Sequence, residues 1–400
     1  MSNIDLYQKI ADKHFSRLKV SLSSPLFLKL RNSLKSIREE SVNNMKQLLK
    51  EAEENLSKNG VQIHHAEDGK RAAEIFREIV EPGIIIKSKS NTFRELKLKE
   101  RLPEYQFIES DCGDIIIDKM KASPSHFVTP AMHLPKDEIL NFFNATDVKQ
   151  LASELRSEIR SYASRAAAGV TGANAISADG YILLIENEGN ISLTSTLPPT
   201  HIVVAGWDKL VSSLEKSLLV ARAQSLWSTG TDPAYLHMIS QPSGTVDIGD
   251  VKVRGMHGAR EVHLILVDNG RSKLLESDLR EILKCIGCGV CLYVCPVYRI
   301  LLSEFGGELP GFRGLIHTYL SGDLQKLVDS GLFKCTGCNL CQEMCPVSIS
   351  LKDIFWFLRS ISFENGYLDE VGRDLIEKIN RFGNAVGEVK RGERPTLHCC

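Results

Sequence analysis

Cysteine is almost missing from the first 284 residues of this 400-residue chain, and long apolar runs are missing throughout. Cys112 is the one cysteine before position 285, although the chain holds eleven. No stretch of about 18 uncharged apolar residues occurs, which disfavours a membrane-spanning helix. The first residues, MSNIDLYQKIADKHF, are too charged for a secretory signal. A formal net charge of −1 gives no electrostatic reason to expect nucleic-acid binding. We therefore expect a cytoplasmic protein that reaches a membrane only through partners.

Glycine-rich nucleotide-binding fingerprints are missing as well. Neither G-x-G-x-x-G nor G-x-x-x-x-G-K-[ST] occurs in the chain. The sequence therefore predicts no flavin or nicotinamide site of its own. A flavin, if the protein works with one, is expected on a partner subunit.

The remaining ten cysteines all lie at or after position 285, and eight of them form a repeat. Residues 284–297 read KCIGCGVCLYVCPV, and residues 334–347 read KCTGCNLCQEMCPV. Each copy has the form C-x2-C-x2-C-x3-C-P, the spacing of bacterial ferredoxins, in which the fourth cysteine ligates the other cluster. This spacing predicts two crossed [4Fe–4S] clusters, the first on Cys285, Cys288, Cys291 and Cys345, and the second on Cys335, Cys338, Cys341 and Cys295.

Other interpretations of the cysteines are open at this point. Zinc sites need four ligands each, usually as two separated C-x-x-C pairs, and fit this spacing less well. The odd cysteine count and the C-x-x-C spacing disfavour disulfides. Purely structural clusters are an alternative, but two crossed clusters lie close together, which favours electron transfer. His398, Cys399 and Cys400 are either metal ligands in a complex or part of a flexible tail.

Before the repeat, short apolar runs alternate with helical patterns, which predicts an α/β domain with a largely parallel sheet. The predicted strands are 61–66, 84–87, 105–109, 114–118, 126–129, 180–189, 201–206 and 262–269. The predicted helices are 71–79, 92–102, 147–166, about 207–225, 272–285 and most of 311–334, with a loop or hairpin at 227–260. The expected divisions are a helical N-terminal extension at 1–60, packed on a neighbour or partner, an α/β domain at 61–272, an α-helical ferredoxin-like domain at 273–385 and a tail at 386–400.

Polar residues at predicted strand ends form a candidate pocket, because ligands bind at the carboxyl ends of parallel strands. Lys87, His201 and Arg271 could hold a carboxylate, and His201 or Glu186 could act as a base. The full set is Lys87, Thr171, Gly172, Asn174, Glu186, Glu188, Asn190, His201, Asp268 and Arg271.

A structural role is the alternative for these candidates. Asn174, Asn190 and Asp268 could cap turns or helices, and Glu188 could pair with Lys209. Cys112 is expected to be a buried or turn thiol.

Several motifs resemble, in order, the iron–sulfur protein of the lactate utilization family (lactate utilization protein B). They are KSKS (87–90), PSHFVTPAMH (124–133), TGAN, ENEGN, LPPTHIVVAG, VDNGRS and both cysteine motifs, across roughly residues 60–350. The resemblance implies an α/β body similar to sugar-phosphate isomerases and coenzyme A transferases. It also implies a subunit of a complex that oxidises lactate, with a cysteine-rich CCG-domain subunit or a flavin dehydrogenase as partner.

We therefore expect an iron–sulfur electron-transfer subunit of an oxidoreductase complex acting on lactate or another 2-hydroxy acid. The helical two-cluster module also resembles subunits of heterodisulfide reductase and anaerobic glycerol-3-phosphate dehydrogenase, which keeps those reactions open. Two further alternatives are a self-sufficient enzyme whose pocket performs isomerase- or transferase-like chemistry, and a docking scaffold with a non-catalytic pocket.

Overall fold

Six parallel strands form the main sheet of the protein. The computed structural model describes residues 2–22 and 24–389, so His398, Cys399 and Cys400 lie outside the described residues. In chain order the strands are β1 Gln62–Ala66, β2 Ile84–Lys87, β3 Gln106–Glu109, β4 Ala168–Thr171, β5 Ala175–Ser177, β6 Tyr181–Glu186, β7 Thr200–Gly206, β8 Leu210–Val211, β9 Tyr235–Ile239, β10 Gly244–Thr245, β11 Val253–Arg254 and β12 Glu261–Val267.

The helices precede, connect and follow these strands. They are α1 Asn3–Leu22, α2 Pro25–Asn43, α3 Met45–Lys58, α4 Gly69–Ile79, α5 Asn91–Glu95, α6 Leu98–Arg101, α7 Cys112–Lys119, α8 Lys136–Phe142, α9 Val148–Ala163, α10 Asn190–Thr196, α11 Leu214–Thr229, α12 Arg271–Leu275, α13 Val290–Val294, α14 Tyr298–Leu301, α15 Gly311–Leu320, α16 Leu324–Asp329, α17 Leu340–Met344, α18 Leu351–Glu364 and α19 Glu370–Phe382. Short 3-10 turns cover Trp207–Lys209, Arg280–Lys284, Leu302–Glu304 and Leu332–Lys334.

The main sheet has the order β1-β12-β7-β4-β2-β3, and every neighbouring pair is parallel. Strand β7 lies inside it and is buried on both faces. Ile202 and Val204 pack into the core beneath α4–α6, whereas Val203 and Ala205 pack into the larger core on the opposite face. Such near-continuous apolar strands are typical of parallel sheets covered on both sides. The predicted α/β class with a largely parallel sheet is therefore confirmed.

A smaller four-stranded sheet, in the order β8-β5-β6-β9, lies beyond the end of β4. Strands β5 and β6 pair antiparallel, and Gly180 turns the chain between them at a φ of +94°. β9 and the β10–β11 hairpin fall within residues 227–260, where the sequence predicted a loop or hairpin.

Helices α1–α3 pack on the rest of this chain. Tyr7, Ala11 and Leu18 of α1 belong to the same buried core as the cysteine-bearing helices. Tyr7 stacks with Tyr293, their ring centroids 6.5 Å apart. The apolar face of the N-terminal segment thus covers the cysteine region of its own chain.

Two predicted strands are wrong. Residues 114–118 belong to helix α7, because the Asp111 side chain accepts a hydrogen bond from the Asp114 N–H (3.2 Å) and begins the helix. Its three isoleucines, Ile115, Ile116 and Ile117, are all buried, so the run lacks the one-sided pattern of a surface helix. Residues 126–129 form an irregular turn around the His126 ring, whose Nδ1 accepts from the Val128 N–H.

Three predicted helices differ in extent. The 92–102 helix is divided into α5 and α6 by Lys97, which has a φ of +51°. The helix expected near 207–225 begins at Leu214, after a 3-10 turn and β8. The helix expected at 272–285 is reduced to α12 and a 3-10 turn. Within the described residues, no helix combines the length and the apolar character needed to cross a bilayer.

Candidate functional site

The carboxyl ends of β2, β3 and β4 open into a cavity of about 340 Å³, which we call the strand-end cavity. Because parallel strands present their carboxyl ends at one edge, the loops after them lie side by side. The cavity is closed on its far side by α11 and by the first cysteine loop. Its lining includes Ser88, Lys89, Asp111, Phe127, Gly172, Asn174, Leu184, Glu188, Asn190, Ile191, Lys209, Gln224, Gly287 and Arg313.

Four of the ten residues proposed for the pocket line this cavity: Gly172, Asn174, Glu188 and Asn190. Asn174 also supports the local fold, since its Oδ1 accepts from the Ile185 N–H (2.8 Å) and its Nδ2 donates to Gln224 Oε1 (2.9 Å). Glu188 Oε2 accepts from the Cys112 N–H over 3.1 Å. Glu188 does not form the expected pair with Lys209, whose nearest carboxylate is Asp208 at 3.7 Å.

Three candidates from β2, β4 and β7 are buried with protein partners. Lys87 Nζ pairs with Glu109 Oε2 at 2.8 Å and lines a separate cavity of about 490 Å³. Thr171 Oγ1 and His201 Nε2 are 2.9 Å apart. Burial lowers the pKa of His201 to about 3, so its imidazole is neutral inside the sheet.

The other three candidates also have structural partners. Glu186 accepts from the Ser192 N–H over 2.8 Å and contacts the His237 ring. Asp268 accepts from the Ser272 N–H over 2.7 Å, at the start of α12. Arg271 binds Glu95 with two contacts of 2.7 and 3.1 Å and is 5% exposed. The sequence suggests that Arg271 makes a bidentate contact with a ligand carboxylate. In the structure, Arg271 makes that contact with Glu95 of the same chain.

Several polar residues of the strand-end cavity were not predicted as site residues, among them Lys209, Gln224 and Arg313. Their side-chain nitrogens gather at Gly287, whose added Cβ would lie 3.4 Å from Arg313 Nη1, 3.8 Å from Gln224 Nε2 and 3.9 Å from Lys209 Nζ. Lys209 follows β7, so the strand-end rule could have found it. Gln224 and Arg313 come from helices α11 and α15, which no strand-end rule addresses.

Charges in the cavity are separated between two walls. Glu188 and Asp111 lie on one wall, where burial and then the charge of Asp111 raise the pKa of Glu188. Lys89 on that wall donates to Asp111 Oδ2 (2.7 Å) and to the Val128 carbonyl (2.6 Å). Lys209 and Arg313 lie on the other wall, beside Gly287. Burial lowers the pKa of Lys209.

The eight cysteines of the two motifs divide into two spatial groups. Burial, followed by the neighbouring Cys288 and Cys285 and then Cys341 and Cys345, raises the pKa of Cys291 well above its ordinary value. Burial likewise raises the pKa of Cys345 to about 11, and the charge of Cys285 adds to the rise. The fourth cysteine of the second motif therefore lies with the first three cysteines of the first motif.

The second group surrounds a cavity of its own. Cys295, Cys335, Cys338 and Cys341 all line it, together with apolar side chains such as Phe305 and Phe355. Burial and then Cys295 raise the pKa of Cys341, to about 12. Four thiols around one cavity fit a cubane cluster, which takes one cysteine at each of its four irons. Cys291 reaches the wall of the same cavity, so the two groups are adjacent.

Backbone geometry in both motifs suits sulfur ligands. The Gly287 N–H donates to Cys285 Sγ and the Tyr298 N–H donates to Cys295 Sγ, each over 3.4 Å. Gly287 has a φ of +73° and Gly337 a φ of +69°, a region that glycine enters at little cost. Such N–H···S bonds orient the ligands and influence a cluster's potential. The residues present therefore fit iron–sulfur ligation.

A charged network lies beside Cys285 of the first cysteine group. Cys285 shares a small cavity of about 50 Å³ with Glu95, Asp208, Arg271 and Arg313. Arg313 lies 3.9 Å from Glu95 and 3.7 Å from Asp208. With Lys209, three cations face two carboxylates, which leaves an excess of positive charge beside thiolates that carry negative charge when they bind metal.

Cys112, the isolated cysteine, begins helix α7 and is partly buried. Burial, followed by the charge of Glu188, raises the pKa of its thiol to about 11. The expectation of a buried or turn thiol agrees with this position.

Two family models match successive parts of the chain. The LUD domain matches residues 49–267, more than half of the chain, and the 4Fe-4S dicluster domain matches residues 281–349. A solved DUF162 family protein from Deinococcus radiodurans is 15% identical and covers 56% of this chain and 98% of its own. The TM-score of this match is 0.30.

Curated relatives match both parts of the chain. Lactate utilization protein B 1 of Bacillus mycoides is 33% identical over 309 residues, which cover 73% of this chain and 63% of the relative. Lactate utilization protein B of Bacillus cytotoxicus is 30% identical over 300 residues, 72% of this chain and 62% of the relative. The matched chain thus spans less than two thirds of the length of these relatives. The chain belongs to the LUD domain family and carries a 4Fe-4S dicluster domain after it.

Proposed function

We propose that this protein is an iron–sulfur electron-transfer subunit of an oxidoreductase complex that oxidises lactate or another 2-hydroxy acid to the 2-oxo acid. The relatives named for lactate utilization and the dicluster domain support this assignment. The proposed cluster ligands are the two cysteine groups, Cys285, Cys288, Cys291 and Cys345, and Cys295, Cys335, Cys338 and Cys341.

The order of sites through the molecule carries the proposal. The strand-end cavity touches Gly287 within the first motif. The first group is the more deeply placed, since Cys288 and Cys345 are buried, whereas Cys338 of the second group is exposed. Cavity, first group, second group and surface therefore follow one another. This is the arrangement that an electron relay to a docked partner requires.

The proposed relay needs an electron donor outside this chain. Oxidation of a 2-hydroxy acid releases two electrons and two protons, whereas a bound [4Fe–4S] cluster accepts and passes on one electron at a time. A two-electron centre, such as a flavin on a partner subunit, is therefore proposed as the electron source. Apolar side chains, including Phe305 and Phe355, line the cavity of the second group. The proposed partners are a flavin dehydrogenase and a cysteine-rich CCG-domain subunit.

Anaerobic purification with iron and sulfide analysis tests the cofactor assignment. Two clusters predict about eight irons and eight sulfides per chain, with two interacting signals by EPR after reduction. A preparation with stoichiometric zinc and no iron would overturn the assignment.

The subunit role is tested by adding lactate instead of a chemical reductant. Lactate should reduce the clusters, so that their EPR signals appear, in the natively purified complex but not in the isolated subunit. Reduction by lactate in the isolated subunit would instead indicate a self-sufficient enzyme.

A further inference from the structure

We propose that the strand-end cavity binds an organic carboxylate, whose carboxylate group lies between Lys209 and Arg313 beside Gly287. This inference deepens the proposed function by naming the ligand class of the cavity, and it rests on that function only for its redox readout. A cavity of about 340 Å³ lies at the small end of the range for ligand sites.

Lys209 is the first observation that carries the proposal. It is 9% exposed and lines the cavity, yet its Nζ forms no hydrogen bond within residues 2–22 and 24–389. The nearest carboxylate oxygen, Asp208 Oδ2, is 3.7 Å away, beyond hydrogen-bond distance. A buried ammonium group without a hydrogen bond is costly, and an anionic ligand would supply one.

Among the described residues, Arg313 and Gln224 have donors at the same place that form no hydrogen bond. The Arg313 guanidinium approaches Asp208 and Glu95 no closer than 3.7 and 3.9 Å. Both carboxylates are already bound by Arg271, which leaves Arg313 available for another anion. Gln224 uses its Oε1 for Asn174, while its Nε2 has no partner in the described part of the chain and faces Gly287.

The opposite wall sets the orientation of the ligand. Glu188 and Asp111 lie there and would repel a second carboxylate, and Lys89 is already paired with Asp111. Phe127, Leu184 and Ile191 supply apolar surface in the lining of the cavity. The site thus suits a molecule with one carboxylate at the Lys209 end and an uncharged body.

Binding at this position acts on the first cluster site. Gly287 lies between Cys285 and Cys288, and its N–H donates to Cys285 Sγ. An anion placed against Gly287 adds negative charge next to the cluster, and net charge is one of the factors that set cluster potentials. Occupation of the cavity is therefore expected to lower the reduction potential of the first cluster and to leave that of the second less affected.

Calorimetric titration of the cluster-loaded full chain tests the carboxylate site. The probes are lactate, pyruvate and phenylpyruvate, with lactamide as the uncharged analogue and inorganic phosphate as an anion without a carboxylate. At least one carboxylate should bind, and lactamide should not. Loss of one charged donor, in Arg313→Gln or Lys209→Met, should weaken binding about tenfold or more. Arg222→Gln, which removes a surface arginine paired with Asp232 outside the cavity, is the matched control.

Iron content and circular dichroism identify any variant that fails to fold. Because Arg313 and Lys209 are replaced separately, one misfolded variant still leaves the other to test the site. Absence of binding by all three carboxylates overturns the inference, as does wild-type affinity in both folded variants. Binding of phosphate as tight as that of the carboxylates overturns the ligand class. EPR-monitored redox titration should give a lower reduction potential for the first cluster with the bound probe than without it. If the protein binds the acid but contains no iron, the proposed function fails and the carboxylate site stands.

Discussion

The guanidinium of Arg38 donates to the backbone carbonyl of Asp208 over 2.6 Å, and so the N-terminal helix α2 contacts the loop after β7. The same side chain donates to the carbonyls of Leu210, Leu283 and Lys284. Arg38 is 1% exposed. One residue of the N-terminal segment thus joins the α/β sheet to the segment that leads into the first cysteine motif.

Replacement of Arg38 by methionine is expected to destabilise the protein by about 3 kcal/mol or more, because it leaves several buried carbonyls without donors. Urea-induced unfolding of the two proteins measures the difference. Lys35→Met on the same helix is the control, since Lys35 is exposed and lies 3.9 Å from Glu39. That control should change stability by no more than about 0.5 kcal/mol. Equal midpoints for Arg38→Met and Lys35→Met would contradict a junction role for Arg38.

Crossed ligation predicts which cysteine pairs belong to the same cluster. Cys345 neighbours Cys285 and Cys291, so Cys288→Ser and Cys345→Ser should each remove the same cluster. Their double variant should retain about half of the iron, whereas Cys288→Ser with Cys295→Ser should lose nearly all of it. Iron analysis and EPR of the variants measure this. If each motif instead held its own cluster with its own fourth cysteine, the result would be the opposite. Cys288→Ser with Cys295→Ser would then retain about half of the iron, and Cys288→Ser with Cys345→Ser would lose nearly all of it.

The two cysteine motifs show what spacing can predict. Ligands such as Cys285, Cys288 and Cys291 lie within seven positions, so local geometry determines that they face one cluster. The crossing of Cys345 follows from the repeat. By contrast, the meeting of Arg313 with Lys209 joins residues about a hundred positions apart, and nothing in the local pattern of either residue indicates it.

Burial explains the other differences between expectation and structure. Ile115, Ile116 and Ile117 are all buried in a helix, and a short apolar run cannot be assigned to helix or strand by periodicity alone. Arg38 lies in a charged amphipathic segment and resembles a solvent-facing residue, yet it is enclosed. Arg271 is suited to hold a ligand carboxylate, but Glu95, distant in the sequence, already occupies it.

Gly289 and Asn339 occupy equivalent positions in the two motifs, and both have positive φ, at +77° and +67°. A Cβ at Gly289 would lie 2.3 Å from Nε2 of the buried His126. Gly289→Asn should therefore destabilise the protein by about 1–3 kcal/mol, through overpacking rather than through backbone strain. The reverse exchange, Asn339→Gly, tests the second motif with no such clash. Thermal unfolding of the two cluster-loaded variants compares their losses of stability. Equal losses would show that contact with His126 is not the reason for glycine at position 289.

The buried imidazole of His201 should make stability depend on pH. Burial lowers its pKa to about 3 in the folded protein, against about 6.5 when unfolded. Between these values the unfolded state binds more protons, so stability rises with pH and is lost as pH falls from about 6.5 towards 3. The slope from one such group is at most about 1.4 kcal/mol per pH unit.

His201→Gln removes this contribution. The variant is expected to be less stable than the wild type near pH 7, because Thr171 loses its partner. As pH falls to about 5, the wild type loses stability through His201 and the variant does not, so the difference between them should shrink. Urea midpoints of both proteins at several pH values measure the difference, and acid effects common to both cancel. A difference that stays constant or grows towards low pH would mean that His201 is charged in the folded protein.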